Sequence, residues 1–168
     1  RIDEEAGFAV TRRDTNAVVG VLQFARNDHT LQANLRHDRS TQYGGQTTGA
    51  IAWGYRLAPS WRVTASYGTA FKAPSFNDLY FPDFSNPDLE PERSVFVDAG
   101  AGIAGAPGML RVAGFAAQYE NLIVYEYQPP VPTRPENVGA VRAAGLEVEG
   151  RLQPVRWGEL TGSYGLLF

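Results

Sequence analysis

Residues 61–98 read WRVTASYGTAFKAPSFNDLYFPDFSNPDLEPERSVFVD, and this stretch decides the fold. In its first part the side chains alternate between two faces, and one face carries Val63, Ala65, Tyr67, Thr69 and Phe71. Successive side chains of a β-strand point to opposite faces, so period two over about ten residues predicts a strand long enough to cross a bilayer. A connection rich in Pro, Asn, Asp and aromatic residues follows over residues 72–93, and Ser94 opens another alternating run.

The same alternation recurs along the rest of the chain. Strands are predicted at residues 17–26, 29–37, 47–57, 61–71, 94–104, 109–125, 141–152 and 157–168. In the run 109–125 the phase is unclear near Phe115, which indicates a β-bulge. The fold class is therefore all-β, an antiparallel up-and-down meander of about eight strands in which each strand pairs with the next in sequence.

The predicted connections alternate in length. Short ones lie at Asn27, Pro59, Ala106 and Pro154, and long ones span residues 38–46, 72–93 and 126–140. This pattern is typical of bacterial membrane barrels, which have tight periplasmic turns and longer extracellular loops, whereas a soluble sandwich has no reason to keep it.

The two faces of the predicted strands differ in polarity. We expect an outward, lipid-facing set that comprises Ile51, Trp53, Tyr55, Val63, Ala65, Tyr67, Val95, Val97, Leu146 and Val148. The concave set comprises Thr48, Gly54, Thr64, Ser66, Gly68, Asp98, Glu147 and Glu149. An eight-stranded barrel is filled by its own side chains, so a small and polar inner face predicts a wider lumen that holds water or a plug.

Composition and hydropathy argue against a protein that crosses the membrane with helices. The chain has 168 residues, a net charge of -3, no Cys and 43% hydrophobic residues. No run of about 18 apolar residues occurs, so no transmembrane helix is predicted, whereas an alternating barrel strand escapes a hydropathy scan. The start lacks the features of a secretory signal, so we expect the true N-terminus to lie upstream.

Four motifs follow one another in a fixed order: YGTAFKAPSFNDLY, NPDLEPERS, ENLIVYEY and ENVGAVRAAGLEVEG. They resemble the barrel of TonB-dependent outer-membrane receptors, and their sequences are most similar to those of cobalamin receptors of the BtuB type. The resemblance implies that residues 1–168 are a partial transmembrane β-barrel domain, part of a barrel of about 22 strands in the bacterial outer membrane. The plug domain and the remaining strands are then absent from this chain.

The resemblance also implies a function. The chain is expected to be part of an active-transport receptor for a scarce bulky nutrient, with cobalamin as the leading candidate and a ferric siderophore as the alternative. A passive porin-like barrel is a further alternative, which the motifs disfavour. The implied partners are the nutrient, outer-membrane lipid and the energy-transducing inner-membrane TonB complex, which acts through the missing plug.

The connection 72–93 carries the predicted substrate-binding residues, which are Tyr80, Phe81, Phe84 and Asn86. Aromatic rings held over a polar surface can stack on a large amphiphilic ligand. The alternatives are that the rings pack the loop onto its neighbours or belong to the upper aromatic girdle.

Other polar groups receive plainer interpretations. Asp83, Asp88, Glu90 and Glu92 lack the spacing of a calcium-binding loop and are read as solvated charge. His29 and His37 have no plausible third ligand, so neither a metal nor a cofactor is predicted. The charged side chains on the inner face of the barrel wall, which we call the wall charges, are expected to form ion pairs or to contact the plug. They are Arg56, Arg62, Glu147, Glu149 and Arg151. No catalytic constellation or basic nucleic-acid patch appears, so neither an enzyme nor a nucleic-acid partner is predicted.

Overall fold

The structure, a computed structural model, describes residues 12–82, 84–128 and 131–168. The strands are β1 (Thr15–Arg26), β2 (His29–Ser40), β3 (Gly44–Ala58), β4 (Trp61–Lys72), β5 (Glu92–Gly105), β6 (Gly108–Glu120), β7 (Leu122–Gln128), β8 (Val131–Val138), β9 (Val141–Val155) and β10 (Gly158–Leu167). A short helix, α1 (Phe76–Tyr80), lies between β4 and β5. No helix in the described part of the chain is both long and apolar enough to cross a membrane.

Eight strands form one antiparallel sheet in the order β1-β2-β3-β4-β5-β6-β9-β10. This confirms the predicted meander of eight strands. Each predicted strand pairs with the next predicted one, since the run at 109–125 pairs with the run at 141–152 as β6 with β9. The prediction of one continuous strand over 109–125 is wrong, because β6 ends at Glu120 and a different strand, β7, begins at Leu122. The chain leaves the sheet at Asn121, which has a left-handed φ of 56°, and β7 and β8 form a separate hairpin before the chain returns. Within the described residues β1 and β10 each have one neighbour, so the sheet is open.

Two predicted loops contain more regular structure than expected. The loop expected at 38–46 is wrong, because β2 and β3 remain paired as far as Ser40 and Gly44. Polar side chains do not end a ladder, which is held by backbone hydrogen bonds, and the Arg36 guanidinium donates to Asp38 at 2.6 Å within this extension. Most of the Pro-rich loop expected at 126–140 is strand, because Pro is tolerated on an edge strand.

The bulge expected near Phe115 is also wrong. The register runs unbroken from Asp98 to Phe115 and from Phe115 to Gly145. A side chain at position 145 would place its Cβ atom 2.7 Å from Cζ of Phe115, so the ring occupies the space that glycine leaves empty. A large ring on the polar face therefore made the hydrophobic phase look shifted. The register shifts of the main sheet occur instead between Arg56 and Ala58 and between Gly158 and Leu160.

Four two-residue turns, at 27–28, 59–60, 106–107 and 156–157, share one edge of the sheet, which we call the turn end. The connections 41–43, 73–91 and 121–140 share the opposite edge, the loop end. Short and long connections therefore alternate as predicted, although the connection 41–43 is only one residue longer than a turn.

Successive hairpins at the turn end are staggered. The Asp28 carbonyl accepts from the amide of Arg56, yet β3 continues to Ala58 before it turns. In the same direction, β5 runs past Ala104, which donates to the Ser60 carbonyl, and β9 runs past Gln153, which donates to the Pro107 carbonyl, before each strand turns. Measured from the centre of one turn to the centre of the next, the step along the strands is about two to three residues, or roughly 7–10 Å. Because two neighbouring turns are separated by two strand spacings of about 4.8 Å, this step corresponds to a strand tilt of roughly 40°. Membrane barrels have this tilt, and it places the four turns at a similar depth.

The register places the two predicted sets of side chains on opposite faces of the sheet. On the apolar face Ile51 lies opposite Tyr67, and Tyr67 lies opposite Val97. On the polar face Ser66 lies opposite Asp98, and its hydroxyl donates to the Asp98 carboxylate. Large side chains of the apolar face such as Ile51 and Tyr67 are nearly half exposed, so this face offers a surface for lipid.

Candidate functional site

Helix α1 places the centre of the candidate site at the loop end. Ser75 caps it: its hydroxyl accepts from the amide of Asp78 at 3.2 Å, and the Asp78 carboxylate accepts from the amide of Ser75 at 2.7 Å. This reciprocal capping box satisfies two backbone donors. A helix of five residues is too short to be stable alone, so its contacts with neighbouring segments hold it in place. Leu79 anchors it and is 3% exposed.

Asp78 joins the helix to the β7–β8 hairpin. Its carboxylate, on a residue that is 7% exposed, accepts a hydrogen bond from the hydroxyl of Tyr125. Burial alone would raise the pKa of Asp78, but the hydrogen bonds from Tyr125 and Ser75 outweigh it and hold that pKa below its usual value. The same bond raises the pKa of Tyr125, because the protonated phenol donates to a carboxylate and loses that bond on ionisation. At neutral pH the pair is thus a carboxylate and a protonated phenol, the states that the bond requires.

Three aromatic rings continue this contact outward. The ring of Phe84 stacks on that of Tyr125 with centroids 5.5 Å apart and planes 11° apart. Phe81 meets Phe84 edge-on at 6.3 Å and 89°. Phe81 is 44% exposed, so it presents an apolar surface at the outer edge of this cluster.

Asn86 fastens the loop to β8. Its side-chain amide donates to the Pro135 carbonyl at 3.0 Å, and its side-chain oxygen accepts from Arg134 at 2.9 Å. Its own backbone amide donates to the Asp78 carbonyl at 2.7 Å. These bonds give Asn86 a structural role, and contact between Asn86 and a substrate stays a prediction.

Asn137 and two acidic residues secure the exit of the loop. The amide of Asn137 donates to the carbonyls of Glu90 and Asn121, and its side-chain oxygen accepts from the amide of Glu90 at 2.8 Å. The Glu92 carboxylate accepts from the amide of Ile123 at 3.0 Å and from Lys72 at 3.2 Å.

The view of these acids as solvated charge is therefore wrong for Glu92, whose side chain is 14% exposed. Glu90 is exposed, but its carboxylate accepts from the side chain of Asn121 at 2.8 Å. Asp83 lies outside the described residues. Across the part of the chain that the structure describes, no three His, Cys, Asp or Glu side chains come together as a metal site.

Tyr80 lies on the other flank of α1. Its hydroxyl accepts from the side chain of Gln42 at 2.6 Å, and its ring lies 6.0 Å from that of Phe76. Arg13 reinforces this flank, donating to Gln42 at 2.5 Å and to the Pro74 carbonyl at 2.8 Å. Of the predicted site residues, the structure thus brings Phe81 and Phe84 together and directs Tyr80 toward the connection 41–43.

The wall charges pair only in part. Arg56 lies 4.0 Å from Asp28, and Arg151 lies 3.2 Å from Glu159. Arg62 donates to the hydroxyl of Thr30 at 2.8 Å. Elsewhere on the described wall, Glu147 and Glu149 form no ion pair within 4.0 Å. Their contact with a plug stays a prediction.

Sequence reasoning missed the residues that tie the loop end together. Ser75 and Asp78 had a local signal, since Ser-x-x-Asp is a capping-box pattern. Asn137 had none, because it lies in a stretch that reads as an unstructured connection. The pattern puts Tyr125 at the end of a predicted strand, and nothing in the sequence indicates that it meets Asp78, 47 residues earlier in the chain.

The chain matches known proteins in sequence. A family model described as TonB dependent receptor-like, beta-barrel matches residues 4–167. The vitamin B12 transporter BtuB of Photobacterium profundum is 31% identical over 147 residues, which cover 84% of this chain and 24% of that protein. The vitamin B12 transporter BtuB of Vibrio cholerae serotype O1 is 42% identical over 91 residues, 54% of this chain and 15% of that protein.

Solved structures share the fold. The siderophore receptor PirA from Pseudomonas aeruginosa superimposes with a TM-score of 0.79 at 20% identity, covering 94% of this chain and 32% of that one. A mutant of the ferric enterobactin receptor PfeA from the same species gives 0.80 at 16% identity, covering 92% and 26%. The chain therefore spans about a quarter of the length of the first curated relative.

Proposed function

The chain belongs to the TonB-dependent receptor-like β-barrel family, and on that premise we propose that it is part of an active-transport receptor for cobalamin. Proteins of this kind lie in the bacterial outer membrane, and so does this chain. The observation that carries the cobalamin proposal is the 31% identity over 84% of the chain to a protein named as a vitamin B12 transporter.

The loop end supports a binding role. Helix α1 lies within the connection 73–91 and bonds to the hairpin through Asp78 and to the turn at 41–43 through Tyr80, and the connection presents the ring of Phe81 outward. A pre-organised loop loses little conformational entropy when it binds a ligand. A broad, partly apolar ligand such as the corrin ring of cobalamin would contact Phe81 and Phe84 by stacking.

The remaining parts of the mechanism lie in the complete receptor. We propose that residues 1–168 form part of the barrel domain and that a plug domain occupies its lumen. The inner-membrane TonB complex then supplies energy through the plug, and the barrel itself carries out no enzymatic reaction. Glu147 and Glu149 are candidate contacts for that plug, because they lie on the polar face of β9 without an ion-pair partner in the described wall.

A ferric siderophore is the second candidate substrate. It is favoured by the fold shared with proteins named as a siderophore receptor and a ferric enterobactin receptor. The same loop aromatics would serve either ligand, so the substrate has to be decided by uptake.

The test is a triple change of Tyr80, Phe81 and Phe84 to Ala in the full-length receptor. Loss of a stacked ring costs about 0.5–1.5 kcal/mol beyond its area, so the triple variant should bind its ligand at least about tenfold more weakly. Phe81→Ala alone should show part of this loss while keeping the stack of Phe84 on Tyr125. Tyr164→Ala, which removes an exposed ring from the apolar face far from the loop, is the matched control.

Binding and uptake of cobalamin and of a ferric siderophore are measured side by side on cells with equal surface levels of each variant. Loss of cobalamin uptake in the triple variant alone supports the proposal. Unchanged uptake of both ligands would remove the loop from the binding site. Siderophore uptake without cobalamin uptake in the parent would replace cobalamin by the second candidate.

A further inference from the structure

A compact polar and aromatic cluster interrupts the apolar face at the turn end of β1, β2 and β3. Its members are Arg26, His29, Trp53 and Tyr55. Arg26 is the cross-strand partner of His29, and His29 is the partner of Tyr55, so these three lie in one row. The ring of His29 stacks on Tyr55 at 4.5 Å, and the rings of Trp53 and Tyr55 lie parallel at 6.1 Å.

The hydrogen bonding of this cluster leaves donors directed outward. Nε1 of Trp53 donates to Nδ1 of His29 at 3.2 Å. A neutral imidazole whose Nδ1 accepts a hydrogen bond carries its proton on Nε2, so His29 keeps one N–H group for a further partner. Both His29 and Arg26 are exposed.

The local charge is positive. Asp28 is the acidic residue of the adjoining turn, and its carboxylate lies 4.0 Å from Arg56. Among the described residues Arg26 forms no ion pair. The guanidinium of Arg26, which has no partner among the described residues, therefore lies beside the imidazole N–H of His29 on a surface that is otherwise apolar.

The depth of the cluster fits a lipid headgroup. Arg26 and His29 flank the turn at 27–28, and the stagger of the hairpins places this turn level with the other short turns. Short turns mark the periplasmic side of a bacterial barrel, where Trp and Tyr side chains lie among the headgroups. At this level the ligand that a membrane supplies is a phospholipid of the periplasmic leaflet.

We propose that Arg26 and His29 bind the phosphate group of an anionic phospholipid, with Trp53 and Tyr55 packing against its glycerol and upper acyl chain. Guanidinium groups form paired, charge-assisted hydrogen bonds with phosphate oxygens. Phosphatidylglycerol satisfies the unpaired charge of Arg26, whereas the ammonium group of phosphatidylethanolamine would be repelled by it. The site therefore distinguishes the two lipids by charge, and it is independent of the nutrient that the receptor carries.

Native mass spectrometry of the purified full-length receptor tests this, with phosphatidylglycerol and phosphatidylethanolamine supplied in equal amounts. The parent should retain phosphatidylglycerol in preference. Arg26→Gln should abolish that preference, and His29→Phe, which keeps the stacked ring but removes the N–H group, should weaken it. Arg12→Gln is the matched control, because it makes the same change of charge at the loop end, where Arg12 pairs with Asp14.

Equal retention of both lipids by the parent would overturn the proposal. So would a preference that survives Arg26→Gln, or one that Arg12→Gln removes to the same extent, which would show a response to net charge alone. Folding of each variant is checked by its heat-dependent migration in gels. If Arg26→Gln does not fold, Arg26→Lys must keep part of the preference while Arg26→Met, of similar length and without charge, must lose it.

Discussion

The hydroxyl of Tyr125 connects the two long segments of the loop end through its bond to Asp78. Tyr125→Phe should loosen α1 while preserving the ring that stacks on Phe84. A hydrogen bond to a charged group contributes about 1.5–3 kcal/mol, and since Tyr125 is half exposed we expect a loss of about 1 kcal/mol in the local stability of α1. Hydrogen exchange of the amides of residues 76–80 measures this loss.

Tyr119→Phe provides the control for that measurement. Its hydroxyl has no hydrogen-bond partner among the described residues, so its removal should leave the exchange of residues 76–80 unchanged. Equal protection of α1 in Tyr125→Phe and in the parent would show that the bond adds nothing to the loop.

The titration of Asp78 and Tyr125 limits the range of pH over which their hydrogen bond stabilises α1. The pKa of Asp78 is lowered in the folded protein, so the stability it contributes is present above the ordinary Asp value near 4 and is lost as pH falls through the lower, folded value. The pKa of Tyr125 is raised, so its contribution is present below about pH 10 and is lost as pH rises through the higher, folded value. Protection of α1 should therefore be greatest between these limits.

Limited proteolysis of the loop 73–91 over a pH series, with an acid-tolerant protease at the low end, checks this window. Tyr125→Phe should abolish the loss on the alkaline side, because Phe has no proton to release. If the variant and the parent lose protection at the same alkaline pH, the titration of Tyr125 is not its cause.

At the scale of the elements, β4 offers a direct test of the two faces. Ala65 and Ser66 are neighbours in sequence on opposite faces of one strand. Ala65→Arg should destabilise the folded barrel by about 2–4 kcal/mol if residue 65 lies near the bilayer midplane. Ser66→Arg should cost much less, because it places a cation beside the Asp98 carboxylate on the polar face. Equal losses in equilibrium unfolding of the full-length receptor in lipid would contradict the assignment.

The β7–β8 hairpin should be dispensable for the wall but not for the loop. Tyr119 and Val141 are cross-strand partners in the ladder of β6 and β9, so joining Asn121 directly to Gly139 leaves a four-residue loop between them. The barrel should still assemble, as heat-dependent gel migration would report. The loop 73–91 should become sensitive to protease, because its bonds to Tyr125, Arg134 and Asn137 are lost. A loop that remains resistant would show that α1 and the turn at 41–43 hold it alone.

The two kinds of element differ in how far the sequence predicts them. The main strands are predictable because a wall with one apolar and one polar face imposes period two on every strand. The case of Phe115 shows the limit of this rule, since a glycine on the neighbouring strand admits a large ring on the polar face. Helix α1 and the hairpin are less predictable, because contacts between distant segments, such as that of Asp78 with Tyr125, hold them in place. For the same reason the sequence indicates Phe81 and Phe84 but neither Tyr125 nor the hydrogen bonds that position these rings.

For the whole molecule, the open sheet predicts the behaviour of the isolated chain. The outer edges of β1 and β10 present unpaired backbone groups within the described sheet, and one face exposes many large apolar side chains. Edges of this kind pair with other chains. The 168-residue chain by itself should therefore aggregate in buffer and disperse only with detergent, which size-exclusion chromatography can follow. A monodisperse monomer in buffer alone would contradict this expectation.

The hydrogen bonds between the loop 73–91 and the hairpin also determine which kind of epitope an antibody would recognise on this surface. Phe81 contacts Phe84, which stacks on Tyr125, and Arg134 donates to Asn86 of the loop, so an exposed patch there combines residues from two distant segments. An antibody raised against the folded receptor should recognise a discontinuous epitope. Neither segment, supplied as a free peptide, should compete for that antibody or serve as a vaccine antigen that elicits it.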